Sequence, residues 1–505
     1  MSKQQPNGVA RYIRSVPSTF GVFTVRFNEK HGMFSLLHST DDVQKTFERT
    51  INQYWPGGVG NTQRPHDAIV TVQIANYNEE KFWKDANSFG LFCRLMEELS
   101  ANGWHLMTAT DFFLTLDEAE LIFQKGDPVQ GADGVTCVRI TGTRYLQFIN
   151  TSEKMEMLAK DAISKYASVK TKENERGPND KVFTRAVTFA IEGNPWQPAD
   201  IKQKVAGVNV LMEMLSTLHR ANYKLMPPAC LDGDQDALFF RHQNNVGNEL
   251  TTDFAMIALC DAGDLMLLRF PADVHEMVKR LLELEWTKGM QPPRYDLNET
   301  VVTYRLKEDP WHNQNSHKEA ANEVRMLFLA LLEELSCIGW HLVCTADISQ
   351  EINDKSVFVF RSGESQPKSY IGIQPVGSDH LWLVKMPKTE REMIDKVLNS
   401  TLGSEAIDDH YNFAQTEVYD IKGSPWSPSQ NADALLARHV IGIMVAALKM
   451  MGWTIACSAD LQDDTRTVTT KEDAKGKKKD MKHKKVVVQR SEACDLHFLM
   501  FVKDR

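Results

Sequence analysis

Two histidines and three aspartates recur at matching places in copies of a repeated segment, and they are the residues of this chain best suited to chemistry. They are His105, His341, Asp111, Asp347 and Asp460. An imidazole beside a carboxylate can act as a general acid or base, and both groups are common metal ligands. A catalytic pair or a metal site is therefore the first hypothesis to weigh.

The spacing of these residues argues against that hypothesis. A predicted strand separates His105 from Asp111 by roughly 20 Å, at about 3.3 Å per residue, so their side chains cannot meet. The second copy has Lys224 and Cys230 at these places, and the fourth has Thr454 in place of the histidine. We therefore predict no catalytic residue and no metal ligand. The aspartates are expected to form strand-end turns, and the histidines to face solvent.

The chain lacks the short motifs that carry common chemistries. It has no GxxxxGK[ST] phosphate loop, no GxGxxG after a strand, no HExxH and no GxSxG. The eight cysteines form no CxxC pair, and most stand beside apolar residues, which favours reduced, buried thiols. We expect no cofactor, and the residues favour a protein that is not an enzyme.

Composition and the amino terminus indicate a soluble, cytoplasmic protein. No apolar run reaches the roughly 20 residues of a membrane-spanning helix, and the first residues lack the pattern of a secretory signal. The formal net charge of −9 argues against nucleic-acid binding by the whole surface.

One segment departs from the average composition. Residues 471–485 carry eight lysines against three acidic residues. Such a run is typical of a solvated loop, and it could also contact an acidic partner or an anionic surface. The predicted contact residues are Lys475, Lys477, Lys478, Lys479, Lys482, Lys484 and Lys485.

The elements that position all these residues occur four times. Each copy has a helix followed by an aromatic anchor, and the anchors are Trp104, Tyr223, Trp340 and Trp453. At five positions counted back from each anchor every residue is apolar, although the chain is only 42% hydrophobic. These positions lie on one helical face. A Gly or Asn precedes each anchor, and both residue types tolerate the left-handed conformation that ends a helix.

The pattern predicts an α+β fold of four tandem ββαβαββ modules, each an antiparallel-rich sheet with two helices. The predicted first hairpins are 20–38, 134–150, 252–270 and 368–386, and the short helices are 41–54, 152–166, 272–285 and 389–402. In copies two to four a Pro-Trp pair precedes the long helix, and we interpret it as a packing lid. The pairs are Pro195-Trp196, Pro310-Trp311 and Pro425-Trp426.

Two sets of module boundaries fit the pattern. Tandem modules would span 18–130, 131–250, 251–365 and 366–505, with 471–485 as a loop of the last one. If the polar stretches 55–67, 167–184, 287–298 and 403–413 are linkers, the unit is instead a permuted βαββββα. Its copies would be 68–166, 185–286, 299–402 and 414–505, and residues 18–54 would pack onto the last copy, complete it and close the chain on itself.

Three functional hypotheses follow from the sequence. The first is a non-enzymatic cytosolic scaffold or adaptor whose repeated modules bind protein partners. It is favoured because the apolar core residues are repeated in every copy, whereas no set of polar residues is repeated. The second is binding of a small apolar ligand or lipid within the modules. The third is an enzyme with an inter-module site that uses His341 and Asp347. The sequence favours the first.

Overall fold

The computed structural model describes most of the chain, in fourteen ranges. These are residues 21–28, 31–78, 82, 86–110, 120–129, 134–175, 185–231, 236–243, 253–296, 300–311, 318–348, 355–427, 431–461 and 496–505. Within them lie eight α-helices and 25 strands. No described helix is both long and apolar enough to cross a membrane.

Module 1 shows the order of elements that all four modules share: two strands, a short helix, two strands, a long helix and two strands. Its elements are β1 (Val22–Asn28), β2 (Met33–Leu37), α1 (Asp41–Tyr54), β3 (Val59–His66), β4 (Ile69–Ile74), α2 (Ala86–Ala101), β5 (Trp104–Thr110) and β6 (Glu120–Lys125).

Module 2 repeats this order with one interruption. Its elements are β7 (Val135–Thr141), β8 (Tyr145–Ile149), α3 (Glu153–Ser164), β9 (Val169–Glu175), β10 (Ala186–Ile191), α4 (Ile201–Arg220), β11 (Tyr223–Leu225), β12 (Ala229–Cys230) and β13 (Asp236–His242). Strands β11 and β12 are separated by Pro227 and Pro228, which lack the N–H that a strand ladder needs.

Modules 3 and 4 have the same order as module 1. Module 3 contains β14 (Phe254–Cys260), β15 (Asp264–Leu268), α5 (Ala272–Glu285), β16 (Arg294–Asp296), β17 (Val301–Arg305), α6 (Lys318–Cys337), β18 (Trp340–Ala346) and β19 (Val357–Ser362). Module 4 contains β20 (Lys368–Val376), β21 (His380–Val384), α7 (Lys388–Leu402), β22 (Ile407–Phe413), β23 (Thr416–Ile421), α8 (Asn431–Met450), β24 (Thr454–Ala459) and β25 (Phe498–Asp504).

Every sheet has the same strand order and is antiparallel throughout. In module 1 the order is β3-β4-β2-β1-β6-β5, and modules 3 and 4 repeat it, while module 2 differs only in the extra short strand β12. The four-module α+β architecture predicted from the repeat is therefore confirmed.

The long helices end where the sequence predicts. Each is followed by a residue in the left-handed region, and these residues are Gly103 (φ 77°), Asn222 (φ 70°), Gly339 (φ 85°) and Gly452 (φ 86°). The aromatic anchors that come next are buried. So are the tryptophans of the three Pro-Trp pairs, and the Trp311 indole donates a hydrogen bond to the Asp264 carbonyl at 3.1 Å.

The hydrophobic cores extend across the boundaries between modules. In the core around α2, Phe23 and Phe92 of module 1 pack with Cys137 and Phe239 of module 2. Each sheet thus has its own helices on one face and the preceding module's long helix on the other. This explains why central strands such as β7, with four successive buried residues, are apolar on both faces.

The four modules close into a ring. Long helix α2 packs on β7, α4 on β14, α6 on β20, and α8 returns to β1 of the first module. The last long helix thereby contacts the first sheet across more than 400 residues of chain, as in the hydrogen bonds from Arg438 to Ser35. Among the described residues, the last long helix therefore covers the first sheet.

Two expectations from the sequence are wrong. The four polar stretches interpreted as linkers contain strands β3, β9, β16 and β22. Their polarity reflects their place at the edge of each sheet, where water reaches them. In addition, β1 and β2 pair with β6 and β4, so residues 18–54 do not complete the fourth unit. The chain does close on itself, but through the contact of α8 with module 1.

Candidate interaction surface

The two histidines singled out in the sequence each bind a loop carbonyl. The Nε2 atom of His105 lies 2.8 Å from the Asp127 carbonyl oxygen, and that of His341 lies 2.7 Å from the Glu364 carbonyl oxygen. Both carbonyls follow the last strand of the same module. Burial lowers the pKa of His105, against an opposing effect of the carbonyl. The two side chains secure equivalent turns.

The two described aspartates join neighbouring modules through their backbones. The Asp347 N–H donates to the Asp236 carboxylate at 2.7 Å, and the Asp236 N–H donates to the Asp347 carbonyl at 3.1 Å. Asp460 and Ser356 make the equivalent pair of bonds between modules 4 and 3. His341 is the second residue of β18, whereas Asp347 follows its last residue, so the structure does not bring them together.

The other predicted contact residues cannot be placed. Asp111 and the lysine-rich segment 471–485, with Lys475, Lys477, Lys478, Lys479, Lys482, Lys484 and Lys485, lie outside the described residues. Among the described residues, no cluster of three or more His, Cys, Asp or Glu side chains could hold a metal ion. The six cysteines whose side chains are described form no disulfide.

The seams between modules repeat one contact, which we call the latch. The residue directly after the second strand of each module adopts a left-handed φ and reaches the preceding module's long helix. These residues are His38 (φ 60°), Asn150 (φ 58°), Arg269 (φ 64°) and Lys385 (φ 54°). A left-handed conformation costs a non-glycine residue about 1 kcal/mol or more, and the latch contact offsets that cost.

In three latches the partner is a glutamate of the helix. Asn150 Nδ2 lies 3.0 Å from Glu97, Arg269 Nη2 lies 3.5 Å from Glu213, and Lys385 Nζ lies 2.6 Å from Glu333. The fourth latch is different: His38 Nε2 lies 2.9 Å from Nδ1 of His439. The latch at the seam that closes the ring is thus a contact between two imidazoles.

The closing seam also contains a buried ion pair. The Arg438 guanidinium on α8 contacts both Glu120 oxygens of β6, at 2.6 and 2.7 Å, and the two side chains are only 4% and 3% exposed. Arg438 further donates to the Ser35 hydroxyl and carbonyl. Farther along the helix, Lys449 Nζ donates to the carbonyls of Gly21 and Lys125.

The closing seam is the least apolar of the four among the described residues. Module 1 contributes only Val22 and Ile122 to the buried core that it shares with module 4. Module 3 contributes eleven buried apolar residues to the core that it shares with module 2, among them Phe254 and Met256. Closure of the ring therefore depends on polar contacts to a greater extent than the other seams do.

The innermost strands meet at the centre of the ring. At this hub the Ser458 hydroxyl of β24 donates to the Thr110 hydroxyl of β5 at 2.8 Å, and the Thr345 hydroxyl of β18 donates to the Ser458 carbonyl at 2.5 Å. Strand β12 likewise packs against β5. The opposite edges of the four sheets therefore face outward.

The outward edges are formed by β3, β9, β16 and β22, which we call the outer strands. Within the described residues each of them pairs with one strand only, on its inner side. Exposed residues include Gln63, Lys170, Arg294 and Asp409. A row of unpaired backbone N–H and C=O groups on an exposed edge can take up a further strand.

The outer strands carry features that limit unselective pairing. Their ladders to the next strand are interrupted by bulges in β3, β22 and at the junction of β9 with β10. Charges also differ between them: β9 has Lys170 and Lys172 exposed and also contains Glu173 and Glu175, whereas β22 has Asp408 and Asp409 exposed and no lysine. Bulges and charges are devices that protect edges from aggregation while leaving selective pairing possible.

Comparison with known proteins identifies a repeated domain family. One family model, which describes a single domain, matches residues 135–241, 253–361 and 369–476. The chain therefore belongs to the family that this domain defines. The first two matches coincide with the sheets of modules 2 and 3, and the third begins with the sheet of module 4. No curated protein and no solved structure matches the chain.

Sequence reasoning missed the latches and the outer strands. A signal for the latches existed: the last or next-to-last residue of each predicted hairpin is polar, and glutamates occur on otherwise apolar long helices. For the outer strands the signal was the weak alternation of short polar segments such as 407–413, which resembles that of a linker.

Proposed function

We propose that this protein is a non-enzymatic cytosolic scaffold that binds extended segments of protein partners at its outer strands. The single observation that carries the proposal is that all four modules present an exposed strand at the same place on the ring, and that within the described part of the chain this strand is paired on one side only. Among the described residues, no repeated polar constellation supports the catalytic hypothesis, and six cysteines without a disulfide are consistent with a reducing compartment.

The mode of binding that fits these edges is strand addition. In that mode the backbone of an extended peptide supplies most of the affinity, and alternate side chains supply selectivity. The differing charges of β9 and β22 would then select different segments. Four sites held at fixed positions by a closed ring would act together, because binding at one raises the local concentration at the next.

Hydrogen–deuterium exchange tests the proposal directly. A partner that co-purifies with the full chain should slow exchange of the amide protons in β3, β9, β16 or β22 and leave those of the hub strands β5 and β18 unchanged. Protection confined to the hub, or to segments outside the outer strands, would contradict strand addition at the rim.

The number of sites is tested by affinity. When the outer strand of one module is exchanged for that of another, we expect binding of a multivalent partner to weaken by about 10- to 100-fold rather than to vanish, since the remaining edges still cooperate. The lysine-rich segment is a second predicted contact: deletion of 471–485 should remove the salt-dependent part of binding only.

A further inference from the structure

Modules 2 and 3 carry basic residues at the start of their innermost strands, next to the aromatic anchors. In module 2, Lys224 of β11 stands directly opposite Arg241 of β13. Directly opposed residues of an antiparallel pair project from the same face of the sheet, with their Cβ atoms about 5 Å apart. The matching pair of module 3 is His341 of β18 and Arg361 of β19. Two arginines therefore occupy equivalent places in neighbouring sheets.

Each arginine reaches the end of the preceding module's long helix. Arg241 donates a hydrogen bond to the Ser100 hydroxyl of α2, and Arg361 Nη1 lies 3.1 Å from His219 Nε2 of α4. Both helix residues stand four positions before the aromatic anchor of their module. Helix α4 leads directly into β11, so its contact with Arg361 brings this arginine of module 3 to the strand that carries Lys224.

Lys224 thus lies in a positive field. Within the described part of the chain, the charged groups that act on its ammonium are Arg361 and Arg241. Desolvation and these two guanidinium groups all lower the pKa of Lys224. The field extends into module 1, because burial lowers the pKa of His105 and the charges of Arg241 and Lys224 lower it further. We call Lys224, Arg241 and Arg361 the basic cluster.

Acidic residues act on the neighbours of Lys224. Desolvation lowers the pKa of Arg241 and Glu97 opposes that effect, while Asp127 has a similar opposing effect on the pKa of His105. Glu97 already accepts a hydrogen bond in the latch of the first seam. Neither carboxylate is among the described groups that act on the Lys224 ammonium.

The basic cluster costs stability when no anion is bound. Like charges directly opposite each other destabilise a sheet, and a charge that is buried without compensation is more costly still. Arg241 is only 5% exposed, whereas Lys224 is exposed. The cluster therefore combines a guanidinium held in place by a helix with an ammonium that a solute can reach.

We propose that the basic cluster binds a small, doubly charged oxyanion such as free phosphate at the junction of modules 2 and 3. Guanidinium and ammonium groups are well suited to phosphate oxygens, because they form charge-assisted hydrogen bonds with them. The bound anion would offset the repulsion among Lys224, Arg241 and Arg361 and so strengthen the seam between the two modules. This site is separate from the outer strands, and it does not depend on partner binding there.

Phosphate binding by the full chain tests the proposal. Thermal unfolding is compared in inorganic phosphate and in chloride at equal ionic strength, so that general screening is the same in both. Phosphate should raise the midpoint, since a ligand that binds only the folded state stabilises it. In calorimetric titration with inorganic phosphate, Lys224→Met should weaken binding by about tenfold or more, because one charge-assisted contact is lost.

A matched variant controls for the change in net charge. Lys170→Met removes an exposed lysine from outer strand β9, and it should leave phosphate affinity unchanged. In chloride, Lys224→Met should keep or raise the midpoint, which also shows that the variant folds. A natural chain that does not respond to phosphate would overturn the proposal, and so would equal responses of all three proteins, which would mean an adventitious ion only. A lower midpoint of Lys224→Met in chloride would also overturn it, because Lys224 would then have an acidic partner in the free protein.

Discussion

A left-handed residue after the second strand decides much of how neighbouring modules meet. Asn150, Arg269 and Lys385 all give up favourable backbone geometry to reach a glutamate on the helix before them. The histidines His105 and His341, by contrast, were noticed in the sequence but have only a local role. Their recurrence in the sequence resembles a functional pattern, yet they bind turn carbonyls. The recurrence of these histidines thus reflects a structural role that is repeated in two modules.

Removal of one partner of the buried ion pair should destabilise the chain strongly. Glu120→Gln leaves the Arg438 guanidinium buried and uncompensated, which costs about 3–5 kcal/mol in the free energy of unfolding. The double variant Glu120→Leu with Arg438→Met should recover most of that loss, because an apolar pair of similar volume needs no counter-charge. Urea unfolding of the two variants measures both values. Equal losses in them would show that the ion pair is not coupled.

The Pro-Trp lid gives a second residue-scale prediction. Trp311 is fully buried, so Trp311→Ala should lower the free energy of unfolding by about 3–5 kcal/mol through lost burial and a new cavity. Leu284, 73% exposed on α5, is the matched control, and Leu284→Ala should change stability by less than about 0.5 kcal/mol. Similar effects of the two substitutions would contradict the lid.

Among the elements, the long helices were predicted in their buried face and in their ends, whereas the outer strands were not predicted. Helix α4 can be recognised from the apolar residues on one face, such as Leu211 and Leu215, and from the Asn that follows its last turn. Both signals lie within the helix segment itself. Outer strand β22 is polar because one edge and much of its surface meet water, so it lacks the apolar alternation that identifies a strand. Its partner β23 begins only three residues after β22 ends, but the polar residues of β22 conceal the hairpin.

The stop signal of the long helix can be tested by adding one methyl group. Gly339→Ala places a Cβ 2.4 Å from the Gly363 carbonyl oxygen at a φ of 85°, so both strain and a backbone clash oppose it. Gly193→Ala has a φ of 82° but meets nothing within 4 Å, and it measures the strain alone. We expect about 1 kcal/mol of destabilisation for Gly193→Ala and clearly more for Gly339→Ala, read from thermal unfolding. Equal losses would mean that the helix end adjusts freely.

The whole molecule is organised by the sharing of cores between modules. The sequence repeat reveals that four similar units exist, but it does not reveal that the helix of one unit completes the core of the next. Closure was anticipated only in part: the amino-terminal segment does meet the carboxy-terminal module, yet as a packed sheet face under α8. A residue several hundred positions away can cover one face of a sheet, and the local sequence does not indicate which face that is.

Closure of the ring is the claim on which the scaffold depends, and a disulfide across the hub tests it most directly. The Thr110 and Ser458 hydroxyls lie 2.8 Å apart, although 348 residues separate them in the chain. With Thr110→Cys and Ser458→Cys combined, mild oxidation of the monomer should give an intramolecular disulfide, found by peptide mapping, that neither single variant forms. Absence of this link in folded monomer, or links only between molecules, would show that modules 1 and 4 do not meet.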